Sequence, residues 1–131
     1  MPENCIICKL IRGELPSVKL YEDERTFVFL DLHPVRPGHT LVVPKNHSED
    51  YLDMQNADYL AVMATSKKVG HAIRTAFGVP RVGLLIKGFD IPHMHIHLIP
   101  MDDENELVSG RHQGVKPPQA SMEERMSVAE K

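Results

Sequence analysis

Residues 91–100, "IPHMHIHLIP", carry His93, His95 and His97 at every second position of an otherwise apolar run. A neutral imidazole offers a lone pair that can bind a metal or attack an electrophile, and its charge changes near neutral pH. Side chains of an extended chain alternate between two faces. The spacing therefore places the three histidines on one face. Met94, Ile96 and Leu98 fall on the other, where they suit a core. Neighbouring histidines are expected ~6.5–7 Å apart, from a rise of ~3.3 Å per residue. At that distance the three rings cannot all touch directly. Burying an imidazole without partners costs free energy, so packing alone is a poor reason to repeat one at adjacent sites. A metal site, a pH switch and a nucleophile with aligned helpers all remain open, the last with its central ring facing an open cleft.

Other residues could join this chemistry. Cys5 and Cys8 form a Cys-x-x-Cys pair, open to redox, metal or neither role. The redox role is the weakest, because the pair does not follow the first strand of a βαβ unit. His39 stands in "PGHT" and His47 in "PKNH". Asp31 ends the run "FVFLDL", where a carboxylate can accept two hydroxyls or simply be solvated.

The elements that position these residues follow from periodicity and punctuation. "CIICKLIR", residues 5–12, has helical apolar spacing and is stopped by Gly13 and Pro16. Strands are expected at Val18–Tyr21, Thr26–Asp31 and Thr40–Val43, the last ended by Pro44. A short helix is expected at Ser48–Met54 and a long one at Ala57–Phe77, with Asn56 as its N-cap and Asp58 in its first turn. Its stripe is Tyr59, Val62, Val69, Ile73 and Ala76. Two more strands follow, Arg81–Lys87 and His93–Pro100, around the turn "FDIP". Short connections imply antiparallel pairing, hence an α+β fold with about five strands, a short N-terminal helix and one long helix. Residues 101–131 are charged and poor in large apolar groups, a partly extended tail whose last dozen residues could form a helix.

The chain has 131 residues, 42% of them hydrophobic and 25% charged, which is ordinary for one globular domain. A net charge of −3 argues against gripping nucleic acid by bulk charge, while leaving room for a single nucleotide. No apolar run approaches the ~20 residues of a membrane span. No secretory leader is visible, so a cytoplasmic setting is expected, with Cys5 and Cys8 as thiols.

"HMHIHLIP" matches His-φ-His-φ-His-φ-φ, with φ apolar. Together with "RPGHTLVVPKNH" it resembles the signature of the histidine triad (HIT) family of nucleotide hydrolases and transferases. The likeness spans about residues 4–100, which marks 1–100 as the domain. It implies that His95 attacks the α-phosphorus of a nucleotide, forming a nucleotidyl-histidine that water hydrolyses. It further implies that His97 contacts the phosphate oxygens, that His39 orients the nucleophile from behind, and that Asp31 accepts the ribose hydroxyls. Ile6, Leu10, Phe29 and Leu32 match positions that sandwich the purine, although core packing explains them equally well. The implied substrate is a purine nucleotide, either a nucleoside phosphoramidate or a dinucleoside polyphosphate. A homodimer is implied too, built on the long helix and the two strands after it. A subset of HIT-like proteins holds zinc at the positions of Cys5, Cys8, His47 and His93. Two cysteines and two histidines complete a tetrahedral set, so a structural Zn²⁺ is expected, with a pair of buried thiols as the alternative.

One stretch departs from the family pattern. Many members carry a longer loop, with a Gln and a hydroxyl residue shortly before the first histidine. Here "LLIKGFDIPH" is shorter, and Phe89 and Asp90 stand in those places. Asp90 pointing inward would set a negative charge near a phosphate; it could point out, or be offset by Lys87. Two other classes therefore stay in view: a catalytically weak nucleotide-binding module and a metal-binding protein.

Overall fold

The computed structural model describes residues 4–103 and 121–130. Helix α1, Ile6–Ile11, starts at Cys5, whose Sγ accepts the Cys8 N–H, and stops before Gly13 at φ 78°. Strands β1 (Lys19–Glu22), β2 (Thr26–Leu30) and β3 (Thr40–Pro44) follow, then a single helical turn at Tyr51–Asp53. Helix α2 is Asn56–Phe77, β4 is Arg81–Leu85, β5 is Ile96–Met101, and α3 is Met122–Ala129.

All strand pairs are antiparallel, in the order β1-β2-β3-β5-β4. Register decides what each face carries. Val28, Val42 and Ile96 stand opposite one another across β2, β3 and β5. They pack with Leu98 and Met94 against Val62, Val69 and Ile73 of α2. Burying each such side chain stabilises the fold by about 1.5–3 kcal/mol. The other row runs Phe29, Leu41, His97 and Leu85. This second face takes α1 through Ile7 and Cys8, which pack with Phe27, Phe29, Leu41 and Val43.

The hairpin is tied to α2 by polar groups. Asp58 is buried and accepts from Arg25 Nη1 at 2.9 Å and Asn46 Nδ2 at 3.1 Å. Gly38 has φ 96°, and a Cβ there would lie 2.8 Å from the Phe77 ring. Only glycine lets the chain pass so close on its way to His39.

Several boundaries differ from expectation. Gln55, not Asn56, is the cap of α2 and makes no side-chain cap bond. The first helical bond runs from Tyr59 N–H to Gln55 C=O, so Asn56 already lies inside the helix. Ala76 is exposed, and Phe77 packs against the core instead. β4 ends at Leu85, and β5 begins only at Ile96. His93 and His95 therefore precede the strand. The cause lies in the backbone bonds: His93 N–H turns back to Ile91 C=O and Met94 N–H goes to Ser48 C=O. The alternation of faces survives, because Met94 and Ile96 still enter the core. In the tail, α3 is capped by Ser121 Oγ, which accepts from Glu124 N–H. The rest of the expected tail, residues 104–120, lies outside the described residues.

Candidate functional site

The histidines form a chain of ring nitrogens whose proton positions follow from the backbone. His39 Nδ1 accepts the Val35 N–H at 2.9 Å. That nitrogen must be bare, so His39 Nε2 bears the hydrogen. It stands 2.9 Å from His97 Nδ1 and 3.3 Å from Asp31 Oδ2. His97 Nδ1 is then the acceptor, and His97 Nε2 carries the proton. His95 differs. Its Nδ1 donates to His93 C=O at 2.7 Å, which leaves a lone pair on Nε2. The His95 and His97 rings meet edge-on with centroids 5.0 Å apart. That is closer than the strand spacing allows, because His95 sits in the bend before β5. The two rings are thus in edge-to-face contact.

His95 Nε2 does not face an open cleft. The residue is 1% exposed, and Asp90 Oδ1 stands 3.3 Å from Nε2. Two acceptors repel, so this contact is favourable only with a proton between them. The hydrogen bond to His95 is the main reason the Asp90 carboxyl is held far below its usual range, with burial opposing it. Asp90 therefore points inward, the unfavourable case raised by the sequence. The cover over His95 is a surface loop rather than core: its tip, Phe89, is 96% exposed, and Gly88 beside it has φ 76°.

Asp31 is buried too. Its Oδ1 accepts the His33 N–H at 2.9 Å, and its Oδ2 faces His39 and, at 3.9 Å, His97 Nδ1. Of the four apolar residues matched to a purine slot, Phe29 is buried, Leu10 and Leu32 are partly buried, and Ile6 is exposed on α1. Leu10 packs against the cluster that contains Phe29.

A second cluster brings Cys5, Cys8, His47 and His93 together from α1, the end of β3 and the bend before β5. Cys5 Sγ is 3.4 Å from His93 Nδ1, and Cys8 Sγ is 3.5 Å from both His93 Nδ1 and His47 Nδ1. The two Nδ1 atoms are 3.1 Å apart. Tetrahedral zinc, with Zn–S ~2.3 Å and Zn–N ~2.0–2.1 Å, requires about 3.6 Å between S and N and about 3.3 Å between nitrogens. These four distances fit that geometry, and all four ligand atoms lie within 4.8 Å of one another. His93 Nε2 donates to Pro44 C=O at 2.9 Å, so its Nδ1 turns a lone pair toward the sulfurs. Burial pushes the His93 imidazole down to about 4, which keeps it neutral, and burial together with Cys5 pushes the Cys8 thiol up to about 11. The sequence reached these four only through resemblance. The Val35, Pro44 and Ser48 backbone groups that hold the histidines carried no sequence signal at all.

An antiparallel sheet with α2 on one face, and with α1 and a buried row of histidines on the other, defines a histidine triad domain. Residues 12–104 match the HIT domain family, and the chain belongs to it. It is 39% identical over 104 residues to an uncharacterised HIT-like protein of Borreliella burgdorferi, covering 74% of this chain and 75% of that one. It is 33% identical to the adenosine 5′-monophosphoramidase of Schizosaccharomyces pombe, covering 77% of each chain. The crystal structure of a HIT-like protein from Bartonella henselae superposes with a TM-score of 0.82 at 30% identity, covering 99% of this chain and 95% of that one.

Proposed function

We propose that the chain hydrolyses a purine nucleotide at its α-phosphate, with His95 as nucleophile. The observation that carries this is the His93 C=O bond to His95 Nδ1, which leaves Nε2, covered by Asp90, as the reacting nitrogen beside the His97 ring. The His95 Nε2 pair forms an N–P bond while the bond from phosphorus to the leaving group breaks, and the leaving group takes up a proton. Water then attacks phosphorus, the N–P bond breaks, and a nucleoside monophosphate leaves. His97 Nε2–H stabilises charge on the phosphoryl oxygens. His39 holds His97 in the required tautomer. Asp31, whose Oδ1 accepts the His33 N–H, is the acceptor for the ribose hydroxyls. Ile6, Leu10, Phe29 and Leu32 provide apolar surface for the base. The S. pombe relative, an adenosine 5′-monophosphoramidase, supports a phosphoramidate substrate, and a dinucleoside polyphosphate is the other candidate.

Cys5, Cys8, His47 and His93 would hold a structural Zn²⁺. It would pin α1 to the sheet and fix the backbone around His93, whose carbonyl orients His95. The domain spans 1–100, with 101–131 appended, and acts in a reducing, cytoplasmic setting. Two copies would pair through α2, β4 and β5. β4 is an edge strand whose Leu84 is exposed, and an edge of unpaired backbone groups is a template for such pairing. Light scattering measures that state.

Incubation with adenosine phosphoramidate tests the enzyme. AMP release by the parent protein, abolished in His95→Ala, supports it, and undiminished release by that variant refutes the nucleophile. AMP binding without release would favour a binding module, for which the Asp90 cover over His95 is the favouring observation.

A further inference from the structure

Nucleophilic attack requires phosphorus within about 3–3.5 Å of the attacking atom. Asp90 Oδ1 stands 3.3 Å from His95 Nε2, in the space that phosphorus must enter. The carboxylate has to withdraw before any phosphate can bind. It cannot go far, since its loop runs only from Gly88 to Pro92 before reaching the metal-type ligand His93. Gly88, with positive φ and open space around its Cα, and the solvent-facing Phe89 give that loop a place to pivot. A negative charge therefore stays beside the reacting phosphate throughout the reaction.

We propose that Asp90 is a specificity-determining residue that favours substrates with an amine leaving group over those with a polyphosphate leaving group. The proposal rests on the placement of the α-phosphate at His95 given above. A carboxylate repels each further phosphate of a polyphosphate chain. It attracts the phosphoramidate nitrogen, which is cationic once protonated and leaves as a neutral amine when its bond to phosphorus breaks. The first effect weakens polyphosphate binding, and the second stabilises the transition state for phosphoramidates alone.

The test compares kcat/KM for adenosine phosphoramidate and for diadenosine tetraphosphate in the parent protein, Asp90→Asn and Asp90→Ser. The expected result is a fall of about tenfold or more in the phosphoramidate-to-polyphosphate ratio in both variants. A ratio unchanged within about twofold overturns the proposal. A second measurement does not depend on turnover: Kd for AMP and for adenosine. Asp90→Asn should bind AMP about tenfold more tightly with adenosine unchanged, and equal AMP affinity in parent and variant overturns the role of Asp90. If no protein turns over either substrate while this affinity shift appears, the nucleophile and the leaving-group preference both fail, and only the repulsion of phosphate by Asp90 is left. If His95→Ala abolishes turnover and Asp90→Asn alters neither ratio nor affinity, the reverse holds.

Discussion

His39 Nε2 lies 2.9 Å from His97 Nδ1, and this buried contact sets which nitrogen of His97 carries a proton. Val35 fixes its position, because the Val35 N–H occupies His39 Nδ1 and leaves the ring hydrogen on Nε2. Three residues thus act in series to present an N–H beside His95.

His39→Ala should leave His97 Nδ1 and the Val35 N–H without partners. The expected cost is about 1–3 kcal/mol in chemical denaturation. Turnover should fall about 10- to 100-fold through kcat more than KM, because the N–H matters most as charge develops. A variant with parent kcat would show that the tautomer is set by something else.

His95→Ala should lose at least about a thousandfold in kcat, since no other ring nitrogen can take its place. The fold should persist, with a lower melting temperature, because the buried ring leaves a cavity and an unpaired His93 C=O. Steady-state kinetics beside thermal melting measure both.

Metal removal should weaken the fold. Cys5→Ser, or a strong chelator, should lower the melting temperature, because the proposed zinc would link α1 to the bend before β5. Binding needs a thiolate, while the Cys8 thiol is pushed up to about 11 and is protonated at neutral pH. Zinc uptake should therefore release at least about one proton per ion, and affinity should drop as pH falls. Zinc titration in weak buffer reads the protons. Identical melting of treated and untreated protein would exclude a structural metal.

Asp23 gives a pH signature away from the site. Burial would raise its carboxyl, but bonds from the Arg25 and Thr26 N–H groups and the Thr26 and Tyr21 hydroxyls hold it below the ordinary 3.8. A folded value below the unfolded one means that the unfolded chain binds protons first. The contribution is thus complete above about pH 4 and is lost as pH falls through the folded value. Asp23→Ala should cost about 1–2 kcal/mol at pH 7. Parent and variant should converge in urea unfolding as pH falls through the folded value.

Gly38→Ala should destabilise by about 2–3 kcal/mol, from a strained positive φ and collision with Phe77. The displaced Arg36–His39 turn should also lower kcat, which a surface Gly13→Ala change should not do. Parallel melts and kinetics of the two variants check this.

The histidine spacing, the apolar alternation around it and the strand-breaking prolines and glycines fixed much in advance. They were enough for an α+β sheet, for the side of the chain facing the core and for the family. These are local properties, since side-chain direction and turn formation depend on a few adjacent residues. The Asn56 cap and the start of β5 were misplaced because competing backbone partners, Gln55 and Ser48, are settled by packing. What each histidine nitrogen does was not legible at all. His39 and His97 are 58 residues apart and meet because β3 and β5 pair in one register. Asp90 reaches His95 because the chain bends before that strand. Proton positions, the closed nucleophile and the four-ligand cluster are relations between distant segments, so only the assembled sheet decided them.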